Sequence, residues 1–218
     1  MQKRITLLRK RPDLTVDDFR RHWAEPHAAI ARRFSGLVKY NQNRVEAELA
    51  ASGPVQWHID GVVELWFCSP SAMSTPESRA TTDALIEDEP RFLSGLTALR
   101  AGESWATEVC TEARKTMALA IVDDPDAAAQ EIVALLEDQV TGGDLCDFAV
   151  DRVKPAFTRE ALWSEPDPPN LIVWLWTSDD SAEDGTARAL DLVRGWLERT
   201  AVASAALSVN ELRIVEQA

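Results

Sequence analysis

The chain repeats itself. Residues 37–45 read LVKYNQNRV and residues 145–153 read LCDFAVDRV, a shift of 108. Residues 62–66 read VVELW and residues 172–176 read IVWLW, a shift of 110. Two matches in the same order at nearly one offset imply a duplicated module of about half the chain. That confines the fold to something built from two copies of one small unit. The copies differ in chemistry. Tyr40, Asn41, Gln42 and Glu64 stand opposite Phe148, Ala149, Val150 and Trp174. Groups able to move protons or hold a polar ligand in the first copy face apolar residues in the second, so one working site per chain is expected, in the first half.

Hydrophobic periodicity and breaker residues place the elements. The first half reads as strands over 2–9, 37–45, 59–68 and 105–110, with helices over 15–34 and within 77–99. The second reads as strands over 115–122, 146–153, 171–177 and 206–215, with helices over 125–140 and 186–200. Thr15 followed by Asp18 has the spacing of a capping box, and Asp17 and Asp18 suit the positive end of a helix dipole. Pro26 cannot donate to the carbonyl of His22, which predicts a kink or break just before His27. Each half thus follows the order β-α-β-β-α-β of a ferredoxin-like module. The fold class is α+β: two such modules in tandem, 1–112 carrying the site and 113–218 degenerate, with the boundary near 111–115. Each antiparallel sheet has one face left bare by its own helices. The two sheets are therefore expected to pair within the chain, as a face-to-face sandwich or a closed barrel.

Charge is distributed unevenly. The net charge is −13, yet residues 1–44 hold 11 Lys and Arg against 4 Asp and Glu, leaving −20 on the rest. The basic residues are interrupted by apolar helix and strand positions, which argues against nucleic acid. The acidic remainder argues against anionic membranes. No apolar run reaches the ~18 residues of a membrane span, and the basic N-terminus lacks the apolar stretch of a secretory signal. Cys68, Cys110 and Cys146 have no metal-like spacing and lie in apolar segments. They read as buried thiols in a reducing cytoplasm.

The segments RKRPDLTVDDFRRHWAEPHAAI, LVKYNQNRV, DGVVELWF and ALIEDEPRFL together resemble the EthD family of the dimeric α/β-barrel superfamily. Most recognisable is a Trp followed four residues later by a His, here Trp23 and His27. The family pattern usually has Pro two residues after that His; here Ala29 occupies the position and Pro26 precedes the His. The resemblance implies small cytosolic proteins that pair their sheets in dimers, a partner that duplication would supply covalently here. It also implies a range of small-molecule chemistries, among them ether degradation, polyketide decarboxylation, lactone isomerisation, cyclisation, oxygenation and haem catalysis. Fold analogy alone selects none of them.

Several residues could carry chemistry. His27 continues the stripe of Phe19, Trp23, Ile30 and Phe34 that faces the sheet, and a half-buried imidazole can act as acid or base; a satisfied core histidine is the plain alternative. Tyr40 is the sole tyrosine, a hydrogen-bond donor to a ligand or merely to a helix carbonyl. Glu64 lies mid-strand, where a carboxylate needs a cation or a raised pKa; Arg9 and Arg44 are the expected partners. Asn41 and Asn43 share one strand face with Gln42 on the other. Trp23 and Trp66, with Trp174 and Trp176, could line a cavity for a flat ligand. His22 and His27, five apart and about 140° around an α-helix, make a poor metal clamp. No metal site and no cofactor are expected, although His27 could in principle serve a haem. The reading is a cytoplasmic lyase or isomerase acting without cofactor on an aromatic, polyketide-like or polycyclic molecule. His27, Tyr40 and Glu64 would be catalytic, and Trp23, Asn41, Asn43 and Trp66 would bind substrate. A binding or accessory module and an oxygenase are the alternatives. The expected partner is a hydrophobic or aromatic small molecule, with no nucleic acid or membrane and with a possible homodimer of the tandem chain.

Overall fold

A computed structural model describes residues 1–106, 113–178 and 183–216. In the first half β1 (Gln2–Lys10), α1 (Val16–His22), a π turn (Trp23–His27), α2 (Ala28–Ala31), β2 (Leu37–Ser52), β3 (Gly61–Phe67), α3 (Pro76–Asp88) and β4 (Leu93–Ala106) follow in order. The second half holds β5 (Ala113–Val122), α4 (Pro125–Gly142), β6 (Asp147–Phe157), β7 (Leu171–Ser178), α5 (Glu183–Thr200) and β8 (Ala201–Glu216). The eight strands close into an antiparallel barrel in the order β1-β3-β2-β8-β5-β7-β6-β4. Each half contributes a run of four neighbouring strands, β4-β1-β3-β2 and β8-β5-β7-β6. The seams are β2 on β8, from Lys39↔Glu216 to Ser52↔Ser204, and β4 on β6, from Ala98↔Phe157 to Ala106↔Ala149. Of the two arrangements left open by the sequence, the closed barrel forms. Among the described residues it pairs every strand on both sides and leaves no exposed sheet edge.

Strand alternation divides the core in three. Ile5, Leu7, Val62, Leu99, Met117, Leu119, Ile172 and Trp174 point into the barrel. Leu8, Tyr40, Val63, Phe67, Leu96 and Ala98 point outward under the first-half helices, meeting Phe19, Trp23, Ala28 and Leu85. Phe148, Val150, Val173 and Leu175 do the same under α4 and α5. The helix termini are set locally. Thr15 accepts from the Asp18 N–H at α1, and Asp124 accepts from Asp126 and Ala127 at α4, satisfying donors that a helix start leaves open.

The chain departs from the sequence expectations at several places. β2 runs on to Ser52 where a loop was expected after 45, because β8 supplies a partner along its whole length. The predicted helix within 77–99 stops at Asp88, and β4 begins at Leu93 rather than 105; a 3₁₀ turn at Glu89–Arg91, built around Pro90, intervenes. Cys68 is exposed and Cys146 half-buried rather than buried. Cys110 and residues 111–112 of the expected boundary lie outside the described residues. Lastly, Pro26 distorts the helix just before His27 as expected, without breaking it. It sits in the π turn, where the Ala28 N–H reaches the Trp23 carbonyl. Widening the turn to i→i+5 spacing lets the helix absorb a residue that cannot donate. Among the described residues no helix is long and apolar enough to cross a membrane.

Candidate active site

The π turn has a chemical consequence. Five residues nearly complete one turn of π-helix, so His22 and His27, which an α-helix would set apart, come to one face. Both reach Asp88 at the end of α3: His22 Nε2 lies 3.0 Å from Oδ1 and His27 Nδ1 lies 3.0 Å from Oδ2. Phe92 packs against both imidazoles, with ring centroids 4.7 and 4.8 Å away. Burial pushes the Asp88 carboxyl up, but the hydrogen bonds from His27 and His22 outweigh it and hold the group below its ordinary range. An ionised Asp88 accepts, so it selects the His27 tautomer protonated on Nδ1 and leaves Nε2 bare.

His27 also lines a cavity of about 300 Å³ between the first-half sheet and its helices. Its walls are mostly apolar: Leu8, Phe34, Val63, Leu65, Met73, Leu85 and Leu96 among them. Tyr40 lines it as well, 1 % exposed. Burial pushes its phenol well above the ordinary value, only partly opposed by the Gln42 amide, so the hydroxyl stays protonated. Gln42 Nε2 donates to the Tyr40 oxygen at 2.8 Å and to the Trp23 carbonyl at 2.9 Å, fixing the phenol and leaving its own O–H to donate elsewhere. The far end of the pocket comes from the second half. Phe157 and Arg159 follow the β4–β6 seam into it, and Arg159 is held by Glu89 at 2.6 Å.

The other residues singled out in the sequence do not line this pocket. Trp23 is fully buried core; its ring lies so close to β3 that a Cβ on Gly61 would stand 2.5 Å from it. Asn41, Asn43, Glu64 and Trp66 belong to the inward face of β2 and β3 and meet in the barrel lumen. There Glu64 is paired not with Arg9 or Arg44 but with Lys3 at 2.8 Å and Lys115 at 2.7 Å, and it accepts from Asn43 at 3.0 Å. Asn41 donates to Glu211 at 2.9 Å, Lys3 also reaches Asp151 at 2.5 Å, and Trp66 stacks under Lys3 and Lys39. Lys115, Asp151 and Glu211 come from the second half, so that half is not merely an apolar filler. Nor is the first-half pocket single. A cavity of about 310 Å³ occupies the corresponding place under α5, lined by Thr116, Ala118, Leu175, Ser204 and Ala206 with no imidazole or phenol. Among the described residues no group of three His, Cys, Asp or Glu is arranged to hold a metal ion.

Asp88, Arg4 and Arg159 are site residues that the sequence did not single out, and Gln42 stood out only as a polar residue that the second half lacks. Asp88 had a signal, an acid in the ALIEDEPRFL segment, but its link to two histidines depends on the π turn. Asp88→Asn should lower turnover and let His27 populate both tautomers, because an amide no longer demands an N–H from each ring. Imidazole ¹⁵N chemical shifts would report this; a wild-type His27 already carrying its proton on Nε2 would remove Asp88 as the positioning residue.

An eight-stranded antiparallel barrel with helices outside and a pocket beneath them is a fold similar to that of dimeric α/β-barrel proteins. Residues 11–95 match the family described as EthD domain. Among solved structures, the chain is similar to a candidate monooxygenase from Lactobacillus acidophilus NCFM (11% identity, TM-score 0.55, covering 98% of this chain and 94% of that one). It is likewise similar to an anthrone oxidase-like protein (10% identity, TM-score 0.54, covering 100% and 94%). At such identities the likeness is one of fold. No curated protein sequence matches the chain.

Proposed function

We propose that the chain is a cofactor-independent enzyme of lyase or isomerase type, moving protons on an aromatic, polyketide-like or polycyclic small molecule in the first-half pocket. One observation carries this reading: His27, anchored through Nδ1 on Asp88, and a protonated Tyr40 share one apolar cavity. Nε2 takes a proton from carbon beside a carbonyl, the electron pair moves onto the carbonyl oxygen, and the Tyr40 O–H donates to that oxyanion. The imidazolium then returns the proton to another carbon, or to a departing hydroxyl in a dehydration. The protein acts in the cytoplasm as two ferredoxin-like modules, 1–112 and 113–218, and its tandem chains can associate further as homodimers.

Tyr40→Phe tests the oxyanion role with the very ring the second copy carries at Phe148. It should lower kcat by ~100-fold with ligand affinity nearly unchanged; an unaltered kcat would withdraw the phenol from catalysis. The names of the two solved neighbours favour a second reading, in which the same enolate reacts with dioxygen. Oxygen uptake coupled to substrate loss would select it. A purely binding protein would retain its ligand and consume nothing.

A further inference from the structure

Arg4 enters the pocket from β1 at the end where Phe157 lies, and its position defies simple pairing. Its guanidinium has no acidic partner among the described residues, and its Nε is buried without a hydrogen bond. Its neighbour on β3 is apolar, Leu65, and on the other side the row is basic: Arg4 stands opposite Arg100 on β4, and Arg100 stands opposite Lys154 on β6. Like charges directly opposite one another destabilise a sheet, and this row occurs in a chain whose net charge is −13. Burial first and Arg100 second both push the Arg4 guanidinium down, the direction expected of a cation lacking a counter-ion. What holds Arg4 is an aromatic face. Its guanidinium lies 6.0 Å from the Phe157 ring centroid, and Arg159, already neutralised by Glu89, lies 4.4 Å from the same ring.

We propose that Arg4 is an anion subsite at one end of the pocket, so that the ligand is a flat apolar molecule ending in a carboxylate or a comparable oxyanion. The subsite deepens the acid–base reading above and rests on it for the identity of the pocket. A guanidinium offers a carboxylate two parallel N–H donors, and the adjacent Arg100 and Lys154 add a field that draws anions to the entrance. The arrangement also sorts the chemistry. An ion pair that stabilises a bound carboxylate stabilises the ground state, which works against losing that carboxylate as carbon dioxide. The anion is then a handle, and the proton transfer takes place elsewhere on the molecule, which points to isomerisation or dehydration.

The test uses 2-naphthoate and its neutral isostere 2-naphthamide, titrated calorimetrically into the full chain. The wild type should bind naphthoate at least ~10-fold more tightly than naphthamide, as a charge-assisted bidentate bond warrants. Arg4→Met keeps the aliphatic stem and should abolish that preference while leaving naphthamide unchanged; Arg4→Lys should retain part of it. Thermal melts of both variants check that the barrel is intact. Equal affinities in the wild type, or a preference that survives Arg4→Met, would overturn the subsite. His27→Gln separates the two readings, since it should keep the naphthoate preference while losing turnover. An Arg4-dependent preference with full turnover in His27→Gln sinks the acid–base reading alone. Lost turnover without the preference sinks the subsite alone.

Discussion

His27→Gln should lower kcat by at least ~100-fold, the span that a positioned general base contributes, while ligand affinity changes little. The reason lies in what glutamine keeps and what it loses. Its amide can still donate to Asp88 and still fills most of the space against Phe92, so the α1–α3 contact survives. It offers no group that can accept and return a proton near neutrality. The loss should therefore fall on kcat rather than KM, the mark of an interaction made only in the transition state. Asp88 gives the acid side of the profile its sign. Its native carboxyl lies below the ordinary value of 3.8, so the anchoring of both imidazoles is fully present above that value and is lost as pH falls through the native one. Turnover within a few-fold of wild type in His27→Gln, measured from pH 5 to 8, would remove the imidazole from the chemistry.

Some of this site is legible in the sequence and some is not, according to whether local or long-range contacts fix it. The repeat and the alternation of its strands are local, and the order of elements follows from them. His27 was legible as a candidate because a helix stripe points one way, and Tyr40 because it is the sole tyrosine and matches Phe148 in the second half. Which face of β2 meets which space was not legible, since parity is symmetric until the barrel closes. Closure sends Tyr40 and Gln42 under the helices and Asn41 and Asn43 into the lumen. The joining of His22 to His27 required knowing that Pro26 would be absorbed by a π turn. Phe157 and Arg159 were beyond reach for another reason: they arrive from the second half across the β4–β6 seam, and no spacing within one copy encodes a contact between copies. Periodicity reports which residues share a face, whereas the partner of that face is a property of the whole topology.

The largest stability effect belongs to the lumen. Glu64→Leu should destabilise the fold by roughly 3–5 kcal/mol, the range for removing one member of a buried ionic group. Glu64 is 1 % exposed and accepts from Lys3, Lys115 and Asn43, and the two lysines come from opposite halves. Removing the carboxylate leaves Lys3 facing Asp151 and Lys115 facing Glu211, each cation short of one anion and packed against Trp174 at 5.3 and 4.4 Å. The pH dependence follows the same pairing. Burial pushes Glu64 up, but Lys115 and then Lys3 overcome it and bring the carboxyl from 4.5 down to about 2. Its stabilisation is thus fully present above the unfolded value and is lost as pH falls from there toward 2. Lys3 behaves oppositely. Burial lowers it, yet Asp151 and Glu64 together raise it above 10.5, so its contribution is complete below 10.5 and fades only as pH climbs through the higher native value. Urea denaturation at pH 7 should show the midpoint fall in Glu64→Leu with the slope unchanged. The wild type should lose more stability than Glu64→Leu between pH 4.5 and 2. Lys115→Met in the Glu64→Leu background should cost less than it does alone, because the second change removes a cation that the first has stranded. Strict additivity of the two substitutions would mean that the halves are not locked through this carboxylate, and the barrel would then owe its closure to the strand seams and apolar packing alone.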